Sequence, residues 1–454
     1  MHAGRGVQEP GGAGDLPVLR GSIQGRGRVG ARVLAQPYAR RDGALWCEGV
    51  PLEAIAAAVG TPAYVYSANA LRERYRALDA ALAGVPHRIH YSLKANSSRG
   101  LLEVLRAQGC RADVVSGGEL MRARRAGFAP EEIIFGGVGK TRAEIRAGIA
   151  AGVLLVNVES GAELAIVEEE AKSLGVCARI AFRVNPEVYV ANAHEFIATG
   201  SRGHKFGIPW GDVPAVAARA LASPHVELAG LDMHVGSQLT SLEPYEDGVA
   251  RLAQLARDLQ RQGASLRFFD VGGGLPARYD AEEPPDLARF AAIVVPVAAS
   301  LGLELIVEPG RFVVAESGSL LTRVLYRKPS GGTDFLICDA GMSELLRPSH
   351  YDAYHAIEAV RPRGGTSTVD VVGPICETGD FLARDRVMDD AAPGDLLAVR
   401  TTGAYGYVMA LTYNTRPRSP EVLVDGARWA VITRRETLDD LVRLEAATLE
   451  WTEG

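Results

Sequence analysis

The sequence predicts an α/β protein, a TIM-like (β/α)8 barrel followed by a C-terminal β-rich domain built as a β-barrel or sandwich. Two observations carry this. Eight apolar, strand-like runs, each closed by a polar or glycine-rich turn, alternate with segments whose apolar residues recur at helical spacing over roughly 225 residues. Beyond about Arg311 the text changes to strand-like runs separated by Gly and Pro turns, without regular helices. A doubly wound open sheet is the competing architecture for the first part.

The elements follow in order. Residues 1–35 are rich in Gly and Arg, poor in apolar residues and without the apolar centre of a signal peptide, so they read as a disordered tail. Residues 36–60 carry a strand near Ala44 and a short helix ending at Gly60. They are expected to join the C-terminal β-domain, because a barrel inserted between two ends of a β-domain brings those ends together. The barrel is assigned to residues 61–311, opening with an extended YVY and a helix capped by Ser67 or Asn69. Its eight strands are read in HRIHYSLKAN, RADVVSGGE, IIFGGVGK, LLVNVES, ARIAFRVNP, LAGLDMHVGS, FFDVGGG and LELIVEPGR. Residues 312–454 form the β-domain, and a helix in ETLDDLVRLE closes it.

Length and composition narrow the function. A chain of 454 residues suggests two domains. A formal net charge of −6 with both signs interspersed gives no electrostatic argument for nucleic acid or an anionic membrane, leaving a small soluble metabolite as the expected ligand. The five cysteines are odd in number, scattered and without CxxC spacing, which argues against a disulfide framework or zinc site and for a reducing cytoplasm. The longest apolar stretch, residues 290–307, is interrupted by Pro296, Ser300, Gly302 and Glu304 and cannot span a membrane.

A barrel of this kind builds its site at the C-terminal ends of its strands. Lys94 stands there on the first strand, Asp113 and Ser116 on the second, and Arg183 and Asn185 on the fifth. His234, Gly236 and Ser237 end the sixth, Gly272, Gly273 and Gly274 the seventh, and Glu308, Pro309, Gly310 and Arg311 the eighth. A lysine is usually a solvated charge; one held inside, with its ammonium pushed towards the neutral amine, suits Schiff-base chemistry. Three consecutive glycines let backbone N–H groups converge on an anion such as phosphate, although turns also use glycine. Glu308 could pair with a protonated ring nitrogen, and Arg311 could clamp a phosphate or carboxylate. His234 offers a ring that stacks on a flat cofactor. In the β-domain, Cys376 in CETGD is either an accessible thiol beside Glu377 or a small core residue. Tyr405 lies between glycines in GAYG, and LRPSHY supplies Arg347 and Tyr351, both suited to gripping a carboxylate.

The set YSLKAN, HEFIATGSRGHKFGI, HVGSQ, DVGGG, EPGR, LRPSHY, CETGD and GAYG, in that order over most of residues 60–415, resembles the diaminopimelate decarboxylases. These are pyridoxal-phosphate enzymes that pair an alanine-racemase-like barrel with a β-domain. The resemblance implies that Lys94 bonds covalently to pyridoxal 5'-phosphate, His234 stacks on its ring and Glu308 meets the pyridine nitrogen. It assigns the remaining cofactor contacts to Asp113, Ser237, Gly272, Gly273, Gly274, Pro309, Gly310, Arg311 and Tyr405. Arg311, Arg347, Tyr351, Tyr405 and Glu377 would bind substrate, and Cys376 would return a proton as the acid. It also implies a cytoplasmic homodimer in which Cys376 and Glu377 come from the partner protomer, and the conversion of meso-2,6-diaminopimelate to L-lysine and carbon dioxide. Relatives that act on ornithine, arginine, lysine, carboxynorspermidine or carrier-bound amino acids, and a non-catalytic barrel that binds the same cofactor, are the alternatives. Alanine racemase is disfavoured by CETGD, LRPSHY and GAYG.

Overall fold

The computed structural model describes residues 36–188, 203–283 and 286–452. The expected tail and most of HEFIATGSRG lie outside them. Eight parallel strands close into a barrel: His87–Ser92, Arg111–Val114, Ile133–Phe135, Leu155–Val158, Ala178–Arg183, Val226–Asp232, Phe268–Asp270 and Glu304–Val307, the last pairing with the first. Seven fall within the runs read from the sequence and the sixth begins two residues before its run, at Val226; the open-sheet alternative is excluded by the closure.

Local chemistry explains why the helices begin where they do. In three successive βα units the side chains of Ser116, Thr141 and Ser160 accept the N–H of the glutamate three residues on, Glu119, Glu144 and Glu163. Each glutamate reaches back to a backbone N–H, of Val115, Thr141 and Glu159 respectively. Ser116, expected among the reactive strand-end residues, is therefore engaged as a helix cap. Gly152, Gly175 and Gly302 end their helices in the left-handed conformation (φ 77°, 69° and 66°).

Barrel register sets the polar layer at the mouth. Ser92 sits opposite Asp113, and Asp232 opposite both Arg183 and Asp270. The apolar layer below contains Ile134, Leu155, Ala181, Ala229, Phe268 and Ile306.

The second sheet is mixed and nine-stranded, organised on the long strand Gly318–Ser330. Ala63–Ser67, assigned to the barrel by the sequence reading, is a strand of this sheet instead, antiparallel to Gly318–Ser330 and parallel to Glu421–Asp425. The chain leaves the sheet at Ser67, builds the barrel and returns at Gly318. The strand near Ala44 does not enter that sheet. It forms a separate three-stranded sheet with Tyr38–Arg41 and Val50–Pro51, which packs on the β-domain through Leu45, Val65, Leu321 and Ala398. The apolar stretch singled out above contains most of the helix Leu287–Leu301 with Pro296 inside it. Among the described residues no helix is long and apolar enough to cross a membrane.

Candidate active site

The first barrel strand runs into a short turn, Leu93–Ala95, closed by Tyr91, whose hydroxyl donates to the Asn96 carbonyl (2.9 Å). The turn holds Lys94 Nζ 3.5 Å from Asp113 Oδ2, with 39% of the lysine side chain still accessible. Burial pulls the ammonium down, but its acidic surroundings, Asp113 foremost and then Tyr405 and Glu308, outweigh it and hold its pKa above the ordinary lysine value. The expected drift towards a neutral amine is thus opposed by the chain's own carboxylates.

The eighth strand's turn is pressed against the Lys94 turn. A Cβ on Gly310 would stand 3.0 Å from Ala95 Cβ, and the Ser92 N–H donates to the Pro309 carbonyl (3.2 Å). Ser92 Oγ lies 2.7 Å from Asp113 Oδ2 and 3.1 Å from the Glu308 carbonyl, so its single proton serves the shorter contact. The β-domain reaches in from the other side. Tyr405 N–H donates to the Ala95 carbonyl (2.8 Å), and Asn96 Nδ2 donates to the Gly403 carbonyl (3.1 Å).

Three buried carboxyls, Asp232, Asp270 and Glu308, bring ligand oxygens within 4.8 Å of one another. Asp232 and Asp270 were not singled out as site residues; an acid at the end of each apolar run is the signal that could have found them. Burial pushes Asp232 up to about 7 against the pull of Arg183, with Glu159 and Asp113 adding to the rise. Asp270 is raised by burial and then by Asp232. Glu308 is raised by burial and then by Asp113, Asp270 and Asp232. Because Asp232 binds its proton more tightly in the folded than in the unfolded chain, its contribution to stability is complete below about pH 4 and is lost as pH rises through about 7. Asp232→Asn keeps an acceptor for Asn157 Nδ2, 3.0 Å away in the parent. Relative to the parent, this variant is expected to gain on the order of a few kcal/mol between pH 5 and pH 8.5 in urea unfolding. Identical pH slopes for the two proteins would refute the assignment.

His234 Nδ1 accepts the Gly273 N–H (3.1 Å), which puts the ring proton on Nε2. Burial, with Arg183 and Lys94 nearby, holds this imidazole below the ordinary histidine range and hence neutral. The glycine triplet is demanded by backbone approach. A Cβ on Gly272, Gly273 or Gly274 would meet the carbonyl oxygens of Met233, Glu308 and Gly236 at 2.3, 2.3 and 2.5 Å respectively. The N–H groups expected to converge on an anion are partly engaged: Gly272's donates to Asp270 Oδ1 (2.8 Å) and Gly273's to His234. Those of Gly274 and Gly310 meet no acceptor among the described residues.

Arg311 donates from Nη1 to the Tyr279 hydroxyl (2.7 Å) and from Nη2 to Ser237 Oγ (3.2 Å), with its guanidinium 4.9 Å from the Tyr405 ring centre. Arg347 lies 4.6 Å from the Tyr279 ring centre. Tyr279, which no sequence signal marked, thus gathers both guanidiniums. Tyr351 ends the helix Arg347–Tyr351 and interacts electrostatically with both arginines. Cys376 and Glu377 are not brought into this cluster. Both are exposed, on a loop shaped by Asp380, which accepts the N–H groups of Met342 and Ile375 (both 2.6 Å). The core-residue alternative for Cys376 is thereby excluded.

The pyridoxal-binding domain of the pyridoxal-dependent decarboxylases matches residues 68–315. A diaminopimelate decarboxylase of Pseudomonas aeruginosa is 47% identical over 89% of this chain and 97% of its own length, and one of Vibrio cholerae is 43% identical over 90% and 99%. The chain belongs to the diaminopimelate decarboxylases. Among solved structures of the family, the Helicobacter pylori enzyme complexed with L-lysine superposes with a TM-score of 0.84 at 40% identity, covering 87% of this chain and 99% of that one. A lysine/ornithine decarboxylase of Vibrio vulnificus, at 23% identity and a TM-score of 0.72, shares the fold.

Diaminopimelate decarboxylases use pyridoxal phosphate, and the residues present fit it. Lys94 offers the amine. Glu308 Oε1 has no hydrogen-bond partner among the described residues and suits a protonated ring nitrogen. The glycine turns around Gly274 and Gly310 leave N–H groups for a phosphate.

Proposed function

We propose that the chain removes the carboxylate of meso-2,6-diaminopimelate at one amino-acid centre, releasing carbon dioxide and L-lysine at the mouth of the barrel. The observation that carries this reading is the juxtaposition of Lys94 with the unpartnered oxygen of Glu308, flanked by Arg311 and Arg347 on Tyr279. Lys94 would hold pyridoxal phosphate, with Asp113, His234, Glu308 and Pro309 around the ring and Ser237, Gly272, Gly273, Gly274, Gly310, Arg311 and Tyr405 towards the phosphate. When bound, that cofactor supplies the electron sink for the pair left behind as carbon dioxide departs.

The chain's own residues do the rest. Neutral His234 presents a flat, uncharged face. Glu308, buried among other acids, is most at ease opposite a cation or with a proton of its own. Arg311, Arg347 and Tyr351 orient the amino acid by its carboxylate, which decides which bond stands ready to break. Lys94 Nζ, as ammonium, can hand a proton on and take it back.

The exposed loop bearing Cys376 and Glu377 supports a homodimer in which each protomer completes the other's site, Cys376 as acid and Glu377 at the distal, cationic end of the substrate. Mixing Lys94→Ala chains with Glu377→Ala chains, each inactive alone, is then expected to restore part of the activity. No recovery in a verified mixed dimer would put the whole site in one chain. The cytoplasmic assignment rests on the scattered cysteines.

The direct test measures carbon dioxide release from meso-diaminopimelate, L-ornithine, L-arginine, L-lysine and carboxynorspermidine. Turnover of meso-diaminopimelate alone is expected. Preference for another of these substrates would move the activity to that relative and reassign the substrate grip.

A further inference from the structure

We propose that His355 is a positioning residue that fixes Arg347 for the substrate carboxylate without neutralising it. The proposal rests on the reading of Arg347 as a carboxylate-binding residue. His355 is fully buried, whereas Arg347 keeps a little exposure. Its Nδ1 lies 2.8 Å from the Arg400 carbonyl, which can only accept, so Nδ1 carries the proton. Nε2 is then a bare lone pair, and Arg347 Nη1, 2.9 Å away, donates to it. The imidazole is further held edge-on to Tyr279, with ring centres 5.2 Å apart. Tyr279 is the same ring that carries Arg347 on its face and accepts from Arg311 at its hydroxyl. The Arg386 guanidinium donates to the His355 carbonyl (2.7 Å).

The choice of histidine has a physical reason. Elsewhere among the described residues arginines are paired with carboxylates, as Arg327 is with Asp334 and Asp390 or Arg363 with Asp395. A carboxylate beside Arg347 would fix it equally well but cancel the charge on which an anionic ligand depends. A neutral imidazole supplies the acceptor and leaves the charge intact. Burial first, and then the guanidiniums of Arg347, Arg311 and Arg386, hold the His355 pKa down to about 3, the side on which the lone pair persists.

The test compares His355→Gln, His355→Glu and His355→Ala in the full-length holoenzyme, with cofactor titration and thermal unfolding recorded for each. Gln offers a neutral acceptor and a donor, and is expected to keep KM for meso-diaminopimelate close to the parent's. Glu and Ala are expected to raise KM by about 10- to 100-fold, the worth of one hydrogen bond to a charged group, with kcat and cofactor affinity little changed. If Glu proves as good as Gln, or if the variants lose cofactor affinity while KM stays put, the proposal is overturned. Where Ala fails to fold, the Gln and Glu pair decides. Arg347→Ala runs in parallel. If it leaves KM unchanged, the carboxylate-grip reading itself fails; if it raises KM while His355→Glu does not, only the role of His355 falls.

Discussion

Lys94→Ala is expected to lower carbon dioxide release by about 10³-fold or more, because it removes the amine proposed both to anchor the cofactor and to carry the proton beside it. Lys140, on the barrel's third unit, does not replace it, being buried and committed to Glu163 at 2.8 Å. The loss also leaves Asp232 and Glu308 without the cation that now offsets them, so the variant should hold these two acids more fully protonated at neutral pH. Borohydride treatment followed by mass spectrometry should attach the cofactor to the parent chain at Lys94 and to the variant not at all. Activity within tenfold of the parent, or covalent attachment elsewhere, would remove Lys94 from its role.

The second large effect is on the framework. Gly273→Ala places a methyl 2.3 Å from the Glu308 carbonyl oxygen, a backbone atom that cannot swing aside as a side chain would. Glu308 is fixed there by its own N–H, which donates to the Gly272 carbonyl (2.8 Å), and His234 Cε1 would stand 3.4 Å from the new methyl. Glu308 and His234, the residues proposed to meet the ring nitrogen and to stack on the ring, would therefore move together. Unfolding free energy is expected to fall by about 1–3 kcal/mol, the usual cost of overpacking, and cofactor affinity should drop with it. Gly211→Ala, whose methyl would meet nothing within 4 Å, serves as the control and is expected within about 0.5 kcal/mol of the parent. Equal behaviour of the two variants in urea unfolding and cofactor titration would show that the seventh-strand loop can relax.

Much of this was legible along the chain because it is local. Alternating apolar runs and helical spacing located all eight barrel strands, and the residue types at their ends named Lys94, Asp113, His234 and the DVGGG and EPGR turns. What escaped were residues whose role depends on a partner far along the sequence. Ala63–Ser67 reads as one more strand before the barrel; only its pairing with Gly318–Ser330 and Glu421–Asp425 assigns it to the other sheet. Tyr279 and His355 carry no motif, and their meaning lies in the two arginines they touch. CETGD offered a thiol and a carboxylate, but not the exposure that separates them from the Lys94 cluster.

The sequence by itself determined the class of fold and the chemical inventory at the strand ends, since the hydrophobic period and the identity of turn residues are properties of neighbours. Tertiary structure alone decided how that inventory interacts. Barrel register sets Asp232 beside Asp270, and closure of the eighth strand on the first brings Glu308 near Lys94. Burial then shifts their protonation, because desolvation and the field of neighbouring charges are set by packing in space and not by order along the chain.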